Sequence, residues 1–475
     1  MKMKRVLPTL LILALFLVSC AKPSAIVSSK ANENSNKDYL LPEDVNYEMM
    51  SASYWSDDDT VLLNEKEISK LNQKNSPYVT YTDKEGKEHT VKWDDIKDTV
   101  SGDTVKGLIS VNDLPSGEYY DKDGNTVSKN FVKRFEDSRN ISAIANEVKP
   151  KYAVCVKRTV AMCSPMDEPF YEKPNDIYYD CNVSAEVLPN DGVIVLHSSA
   201  DGEWLFVFAD FYTGWIPNDT VAFCTDRENW EKSQSPEKFL VVTGETVSLD
   251  SVITALDTFC ETAYMGMKIK LSDNATEFLN GRATYGAYCV ELPARDKDGM
   301  LYYVNATVAI SQDVSVGYLP LSSKNILEQS FKFLGHTYGW GGTYGRNDCS
   351  GMTRQIYHCF GINLPRNSGD IMSVNGFKEK EFTEDATKDE RISAFKKAKP
   401  GSILCFRGHI MIYLGMDNGL PYCISSCGSY APNSAEGKED VKTSDINCVC
   451  INPLNVVRAN GKTWLDNISK IIYPE

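Results

Sequence analysis

Hydrophobic and polar positions change their period twice along this chain. Over 62–71, Leu63, Ile68 and Leu71 recur at roughly helical spacing, and Asn64-x-x-Glu67 has the form of a capping box, so the pattern predicts a helix there. The rest of 39–150 is mixed and reads as a packing segment rather than an independent site. From about 151 the pattern is that of short strands. "GVIVLHSSADGEWLFVFADFYTGWIP" alternates apolar and polar stretches around Asp-Gly and Gly-Trp turns, and "KFLVVTGETVSL", "MGMKIKLSD", "AYCVELPARDKDGMLYYVNATVAIS" and "SVGYLPL" follow. Two consecutive blocks, 151–230 and 231–320, predict two small β-barrels. From 321 to 475 the pattern is α+β. Ile326, Phe331 and Leu334 keep helical spacing, a glycine-rich loop follows, and a second helix begins near Cys349. Strands then come at "SILCFR", "HIMIYLG", "YCISS" and "CVCINPL".

On the second helix, Met352, Ile356 and Cys359 or Phe360 follow Cys349 at steps of three and four, which sets Cys349 in the first turn on the buried face. Just ahead of it lies "YGWGGTYGRNDCSG", where dense glycines mark a backbone that turns sharply or approaches something closely. A free cysteine is ordinarily a buried packing residue. A helix N-terminus, however, presents unsatisfied N–H donors and the positive end of the macrodipole, which favour a thiolate, and an imidazole beside it would lower the thiol pKa further. Cys349 is therefore a candidate nucleophile.

The chain has five histidines, so a partner can be sought by elimination. His89 and His197 fall in other units. His358 is nine residues along the same helix, and steps of about 100° turn it to the opposite side. His336 precedes the glycine cluster with no regular element to hold it, whereas His409 opens the strand "HIMIYLG", where a base can be held rigidly. His409 is the first choice and His336 the second.

Cys405-x3-His409 and Cys423-x3-Cys427 have the spacing of zinc-ligand pairs. If 405–409 is one extended strand, the first pair stands about 13 Å apart at roughly 3.3 Å per residue, and only a tight turn at Arg407-Gly408 would bring it together. No HExxH, P-loop or dinucleotide fingerprint occurs in a fitting context, and the sequence implies neither metal nor cofactor.

Composition changes the picture less than the termini do. With 42% apolar, 24% charged and 11% aromatic residues the chain is an ordinary globular one, and its length suggests about three domains. The net charge of −15 argues against a nucleic-acid partner, which needs clustered Lys and Arg. The start has a short basic stretch (Lys2, Lys4, Arg5), then an apolar run over 7–18 that is too short to span a bilayer. Leu17-Val18-Ser19-Cys20 resembles the lipobox of bacterial lipoproteins. That resemblance implies a leader over 1–20, cleavage before Cys20, acylation of Cys20, and export to the cell envelope (periplasm-facing) on a membrane anchor. Cleavage would remove three positive charges and take −15 to −18. The Ser/Asn/Lys-rich stretch 21–38 reads as a flexible tether. Setting Cys20 and Cys349 aside leaves twelve cysteines, an even number without deducible connectivity.

Two further resemblances give these pieces a function. "DGEWLFV" with "YTGWIP" resembles a bacterial SH3-like domain; the second block resembles one less closely. "YGWGG…DCSG" with "LPRNSG" and "GHIMIYLG" resembles the NlpC-type cell-wall cysteine peptidases over about 320–475. The layout of a stabilising segment (39–150), SH3-like domains and a terminal catalytic domain also resembles one branch of that family. The resemblance implies an α+β chain with a papain-like catalytic domain behind two SH3-like barrels. It implies an endopeptidase of peptidoglycan stem peptides that cuts between D-Glu and the diamino acid when the N-terminal L-Ala is free. It makes Cys349 the nucleophile, His409 the base and Tyr338 a helper of the oxyanion. Asp348 and Ser350 match substrate-binding positions, with Asp348 a receptor for the ammonium; Trp340, Arg366 and Tyr212 are further candidates there. Each has a plainer reading: helix cap for Asp348, packing for Tyr338, Trp340 and Tyr212, structural hydrogen bonding for Arg366.

One departure stands out. Family members usually carry a third polar residue, commonly His, on the strand after the base, and 422–428 here reads "YCISSCG". Ser425, which shares a strand face with Cys423 and Cys427, is the candidate; Ser426 faces the other way. A weak third member leaves the alternative of a wall-binding lipoprotein with little or no turnover; separately, the same fold could carry another thiol chemistry, that of an amidase or acyltransferase.

Overall fold

The computed structural model describes residues 39–475 except 175, 251–257, 274, 275 and 280. The segments expected to be leader and tether, with Cys20, lie outside the described residues. Among those described, no helix is long and apolar enough to cross a membrane.

Three antiparallel sheets dominate. The first takes seven strands from Lys151–Cys155 to Val221–Phe223, with Ala153, Val193, Val207 and Ile216 packed together on one face and Phe206, Phe208 and Trp215 on the other. The second takes six, including the long hairpin Ala287–Arg295 and Leu301–Ala309, around Leu240, Val242, Ile269 and Val290. The boundary expected at 230/231 falls inside the helix Arg227–Gln234. Its Trp230 packs into the core of the first sheet and its Gln234 accepts from the Gly192 amide, so this helix belongs with the first unit.

The third sheet runs in the order Lys378–Glu381, Lys470–Tyr473, Ile403–Phe406, His409–Asp417, Leu420–Tyr430, Ser444–Pro453. The alternation of His409–Asp417 decides what it touches. Ile410, Ile412 and Leu414 meet the helices Ser323–Phe331 and Cys349–His358, while Met411 and Tyr413 pack with Phe395 and Trp464 on the other face.

The 39–150 segment has no core of its own. The helix Glu65–Lys74 starts as its sequence predicts: Asn64 Oδ1 accepts from the Glu67 amide at 3.2 Å and Glu67 Oε2 from the Asn64 amide at 2.8 Å. Its Ile68 and Leu71 join the core between the third sheet and its helices, with Trp55 against Tyr422. Val79, Ile96, Val105 and Leu108 instead join the first sheet, and Phe131 and Phe135 close on Phe170. One segment thus ties two units together.

Candidate active site

The helix Cys349–His358 begins at the expected turn, capped by Asp348, whose Oδ1 accepts from the Gly351 amide at 2.7 Å. The loop ahead of it explains its glycines. Gly341 and Gly342 have φ of 58° and 92°, and a Cβ on them would stand 2.3 Å from Val183 Cγ1 and 2.4 Å from Glu186 Cβ. The loop therefore lies backbone-first on the strand Val183–Val187 of the first sheet, and no other residue type fits there. Ser426 Oγ donates to the Asn347 carbonyl at 2.7 Å and fixes the other end of the loop.

Cys349, His409, Tyr338, Trp340, Asp348, Ser350 and Arg366 all line one cavity of about 400 Å³. Phe406 and His409 are partners across a two-residue turn in which Gly408 has φ 85°. So Arg407-Gly408 does form the tight turn that zinc would need. Yet Cys405 pairs with Ile410 in this register, which puts Cys405 and His409 on opposite faces of the sheet. Among the described residues no group of three or more His, Cys, Asp or Glu is arranged to hold a metal.

The His409 ring sits between Phe406 and Trp464, at 5.4 and 5.3 Å between centroids, and its Nε2 is 3.0 Å from Ser425 Oγ. A proton on Nε2, donated to Ser425, leaves the Nδ1 lone pair free to act as a base. Burial, helped by the charge of Arg458, lowers the imidazole pKa to about 3. Burial also raises the Cys349 thiol to about 12, with the Asp348 charge adding to it and the Ile410 and Ser350 amides opposing. This corrects the sequence expectation of a thiolate. The helix N-terminus is outweighed by desolvation and by a carboxylate one residue away, so the resting pair is neutral thiol and neutral imidazole.

Asp348 needs a second correction. Its two oxygens accept from the Gly351 and Gly341 amides, from Ser350 Oγ at 3.1 Å, and from Arg366 at 3.0 and 2.6 Å. A carboxylate has about four lone-pair sites, so none is left for a substrate ammonium. Burial works against the ionised form, but Arg366 and these donors hold the carboxyl below its usual value. Ser350 is spent on the same network and also accepts from Arg366 at 3.0 Å. All three build the wall rather than offer free groups to a ligand.

Tyr338 is different: its ring is buried against Tyr179, and its hydroxyl makes no hydrogen bond to any described residue. Burial and the neighbouring Asp348 and Cys349 push its ionisation well above the ordinary phenol value, so it stays an O–H donor.

Tyr212 is not in this cavity. It lies in the core of the first sheet with its hydroxyl donating to the Glu186 carbonyl at 2.6 Å, and it lines a second cavity behind the Cys349 helix. The tyrosine that the first unit does bring is Tyr179, missed in the sequence, together with Ser184. Tyr179 packs tilted against Tyr338 and edge-on against Trp340, at 5.6 and 5.5 Å between centroids. Only the Tyr-Tyr run "IYYD" flags it in the sequence, and nothing local says that it faces a cysteine 170 residues away. His336, the second choice for a base, is instead paired through Nδ1 with Glu245 at 3.2 Å and lies outside the cavity.

Comparison with known proteins agrees with this architecture. Residues 169–217 match the model for an SH3 domain of SH3b1 type, and 335–426 match the NlpC/P60 family. The chain is similar to a γ-D-glutamyl-L-lysine dipeptidyl-peptidase of Bacillus cereus, 26% identical over 213 residues that make up 44% of this chain and 55% of that protein. It is also similar to the probable endopeptidase p60 of Listeria monocytogenes, 33% identical over 110 residues, 20% of each chain. The matches thus span about half the length of the first relative and a fifth of the second. Among solved structures, an NlpC/P60 endopeptidase from Photobacterium damselae subsp. piscicida superposes with a TM-score of 0.64 at 16% identity, over 88% of this chain and 97% of that one. At that identity the likeness is one of fold. The chain carries an SH3 domain of SH3b1 type and an NlpC/P60 domain, in an α+β architecture of papain-like fold.

Proposed function

We propose that the protein is a cysteine endopeptidase of peptidoglycan stem peptides, cutting the bond between D-Glu and the diamino acid in peptides with a free N-terminal L-Ala. In the same reading it is an exported lipoprotein held at the membrane through Cys20. One observation carries the catalytic part: Cys349, His409 and the unpartnered Tyr338 hydroxyl line one cavity, with Ser425 on the far nitrogen of the imidazole. The peptidase names of the relatives support the substrate class. Tyr179 and Ser184 wall one side of the cavity, which favours a short peptide over one still attached to a bulky glycan.

The steps follow from the neutral resting pair. His409 Nδ1 takes the thiol proton as Sγ bonds to the scissile carbonyl carbon. The oxyanion is met by the Cys349 backbone N–H and the Tyr338 hydroxyl, both fixed before substrate arrives. The imidazolium then gives its proton to the leaving amine, and a thioester remains on Cys349. Water, deprotonated by Nδ1, hydrolyses that thioester and frees the thiol.

The test is to incubate residues 21–475 with defined muropeptides and identify products by mass spectrometry, with Cys349→Ala as the control. The reading expects two fragments from free stem peptides, far less from glycan-linked ones, and none from Cys349→Ala. Products cut at an amide between sugar and L-Ala would make the protein an amidase, and binding without products a wall-binding lipoprotein. Unchanged hydrolysis by Cys349→Ala would remove the thiol mechanism altogether.

A further inference from the structure

Arg458 lines the cavity of Cys349 and His409 but lies beyond residues 335–426, which match the family model. Its guanidinium is half-buried, with Cζ 4.4 Å from the centroid of the Phe406 ring. Among the described residues it makes neither an ion pair nor a side-chain hydrogen bond. Two other arginines differ: Arg366, in the same cavity, is spent on Asp348, and Arg354, behind the Cys349 helix, on Asp210. An arginine carries five N–H donors in a fixed fork, and stacking on an aromatic ring covers its face while leaving that edge unmatched.

The backbone that presents Arg458 is fixed. Val457 and Ala431 exchange both of their N–H to carbonyl bonds at 2.8 Å, and the Arg458 amide donates to the Lys462 carbonyl at 3.0 Å. Charge in the cavity is not balanced. Its one lining acid, Asp348, is neutralised by Arg366, and His409 is uncharged, so Arg458 leaves a net positive site inside a chain of charge −15. A half-buried cation next to a catalytic base, held by a rigid turn and matched to nothing, calls for an anionic group on the ligand.

We propose that Arg458 binds the free α-carboxylate of the glutamyl residue beside the scissile bond, so that the enzyme selects stem peptides with that carboxyl free over those in which it is amidated. This rests on the peptidase reading above. A γ-linked glutamate uses its side-chain carboxyl in the peptide bond and keeps its α-carboxylate a few bonds away, within reach of a group lining the same cavity. The effect extends to catalysis. The Arg458 charge disfavours the imidazolium of His409, and a bound carboxylate would offset that charge at the step where the imidazolium forms.

The experiment compares L-Ala-γ-D-Glu-L-Lys with its α-amide, L-Ala-γ-D-isoglutaminyl-L-Lys, in the wild type, Arg458→Gln and Arg458→Lys. The wild type should favour the carboxylate peptide by roughly 10- to 100-fold in kcat/KM, the range of a charge-assisted hydrogen bond. In Arg458→Gln that ratio should fall to about 2 or less, and Arg458→Lys, which keeps the charge without the fork, should lie between. The same two peptides are titrated calorimetrically into Cys349→Ala and Cys349→Ala/Arg458→Gln, so that selectivity is read as binding without turnover. Equal handling of both peptides by the wild type, or a preference that survives Arg458→Gln, overturns the role of Arg458 and leaves the peptidase intact. Selective binding with no cleavage by the wild type overturns the peptidase and keeps the carboxylate site. Neither binding nor cleavage overturns both.

Discussion

The Cys349 helix separates two cavities of similar chemistry, about 400 Å³ in front and about 300 Å³ behind. Each is lined by a histidine whose pKa burial lowers to about 3, His409 in front and His358 behind. Each also has a buried acid–arginine pair, Asp348–Arg366 and Asp210–Arg354. What differs is what stands beside them. In front are a thiol in the first turn of the helix and, without a hydrogen-bond partner among the described residues, a phenol and a guanidinium. Behind, His358 is near the other end of the helix with Nε2 3.1 Å from Asn363 Oδ1, and Asp210 takes Arg354 and Asn363. A shifted pKa marks burial in both places. Only the front cavity joins it to a nucleophile and to donors with nothing yet to bind, and that conjunction marks a site.

The largest difference between the two cavities should appear when their histidines are removed in turn. His409→Ala should lower kcat/KM by about 100- to 10,000-fold, the usual contribution of a general base, while His358→Ala should leave turnover of a muropeptide little changed. A comparable loss in both would mean that the rear cavity takes part in the reaction.

The two acid–arginine pairs come next. Removing one partner of a buried pair costs about 3–5 kcal/mol, and Asp348→Asn should reach that range, because it disturbs five donors at once. Asp210→Asn, with fewer donors, should cost less. The pH dependence separates them further. The Asp348 carboxyl is held below its usual value, so its contribution is present above the unfolded pKa and is lost as pH falls through the folded one. Burial raises the Asp210 carboxyl, so charging it opposes folding as pH rises through that window, and acid relieves the strain. Urea denaturation of both variants at pH 3 and pH 6 should show the Asp348→Asn penalty shrinking in acid. A penalty independent of pH would remove the ionised cap from the account.

The smallest effect belongs to the third residue. Ser425→Ala removes one hydrogen bond to His409, worth about 1 kcal/mol or roughly a fivefold drop in kcat. Ser426→Ala should act instead on thermal stability, through the loop that it ties to Asn347. If neither changes kcat beyond about twofold, packing between Phe406 and Trp464 is enough to orient the imidazole.

Much of this was legible in the chain itself, and for a common reason. The capping box of Asn64 and Glu67, the helix start at Asp348-Cys349, the strand opening at His409 and the faces of Ser425 and Ser426 are decided by residues within a few positions of one another. Such features carry their physics in the local sequence. The glycine cluster was legible only as a demand for close approach; that it approaches Val183 and Glu186 of the first unit required the fold.

What the tertiary structure alone decided is what depends on burial and on distant partners. It split the 39–150 segment between two cores, because apolar faces find whichever surface completes them. It sent Tyr212 behind the helix and brought Tyr179 to the front, a choice made by how the first sheet docks on the unit that holds Cys349. It made Cys349 a neutral thiol where a helix N-terminus by itself predicts a thiolate, since desolvation and the Asp348 charge exceed the helix dipole. And it left Arg458 unpaired beside His409, which no spacing along the chain could indicate, because an absent partner is a property of the space around a side chain.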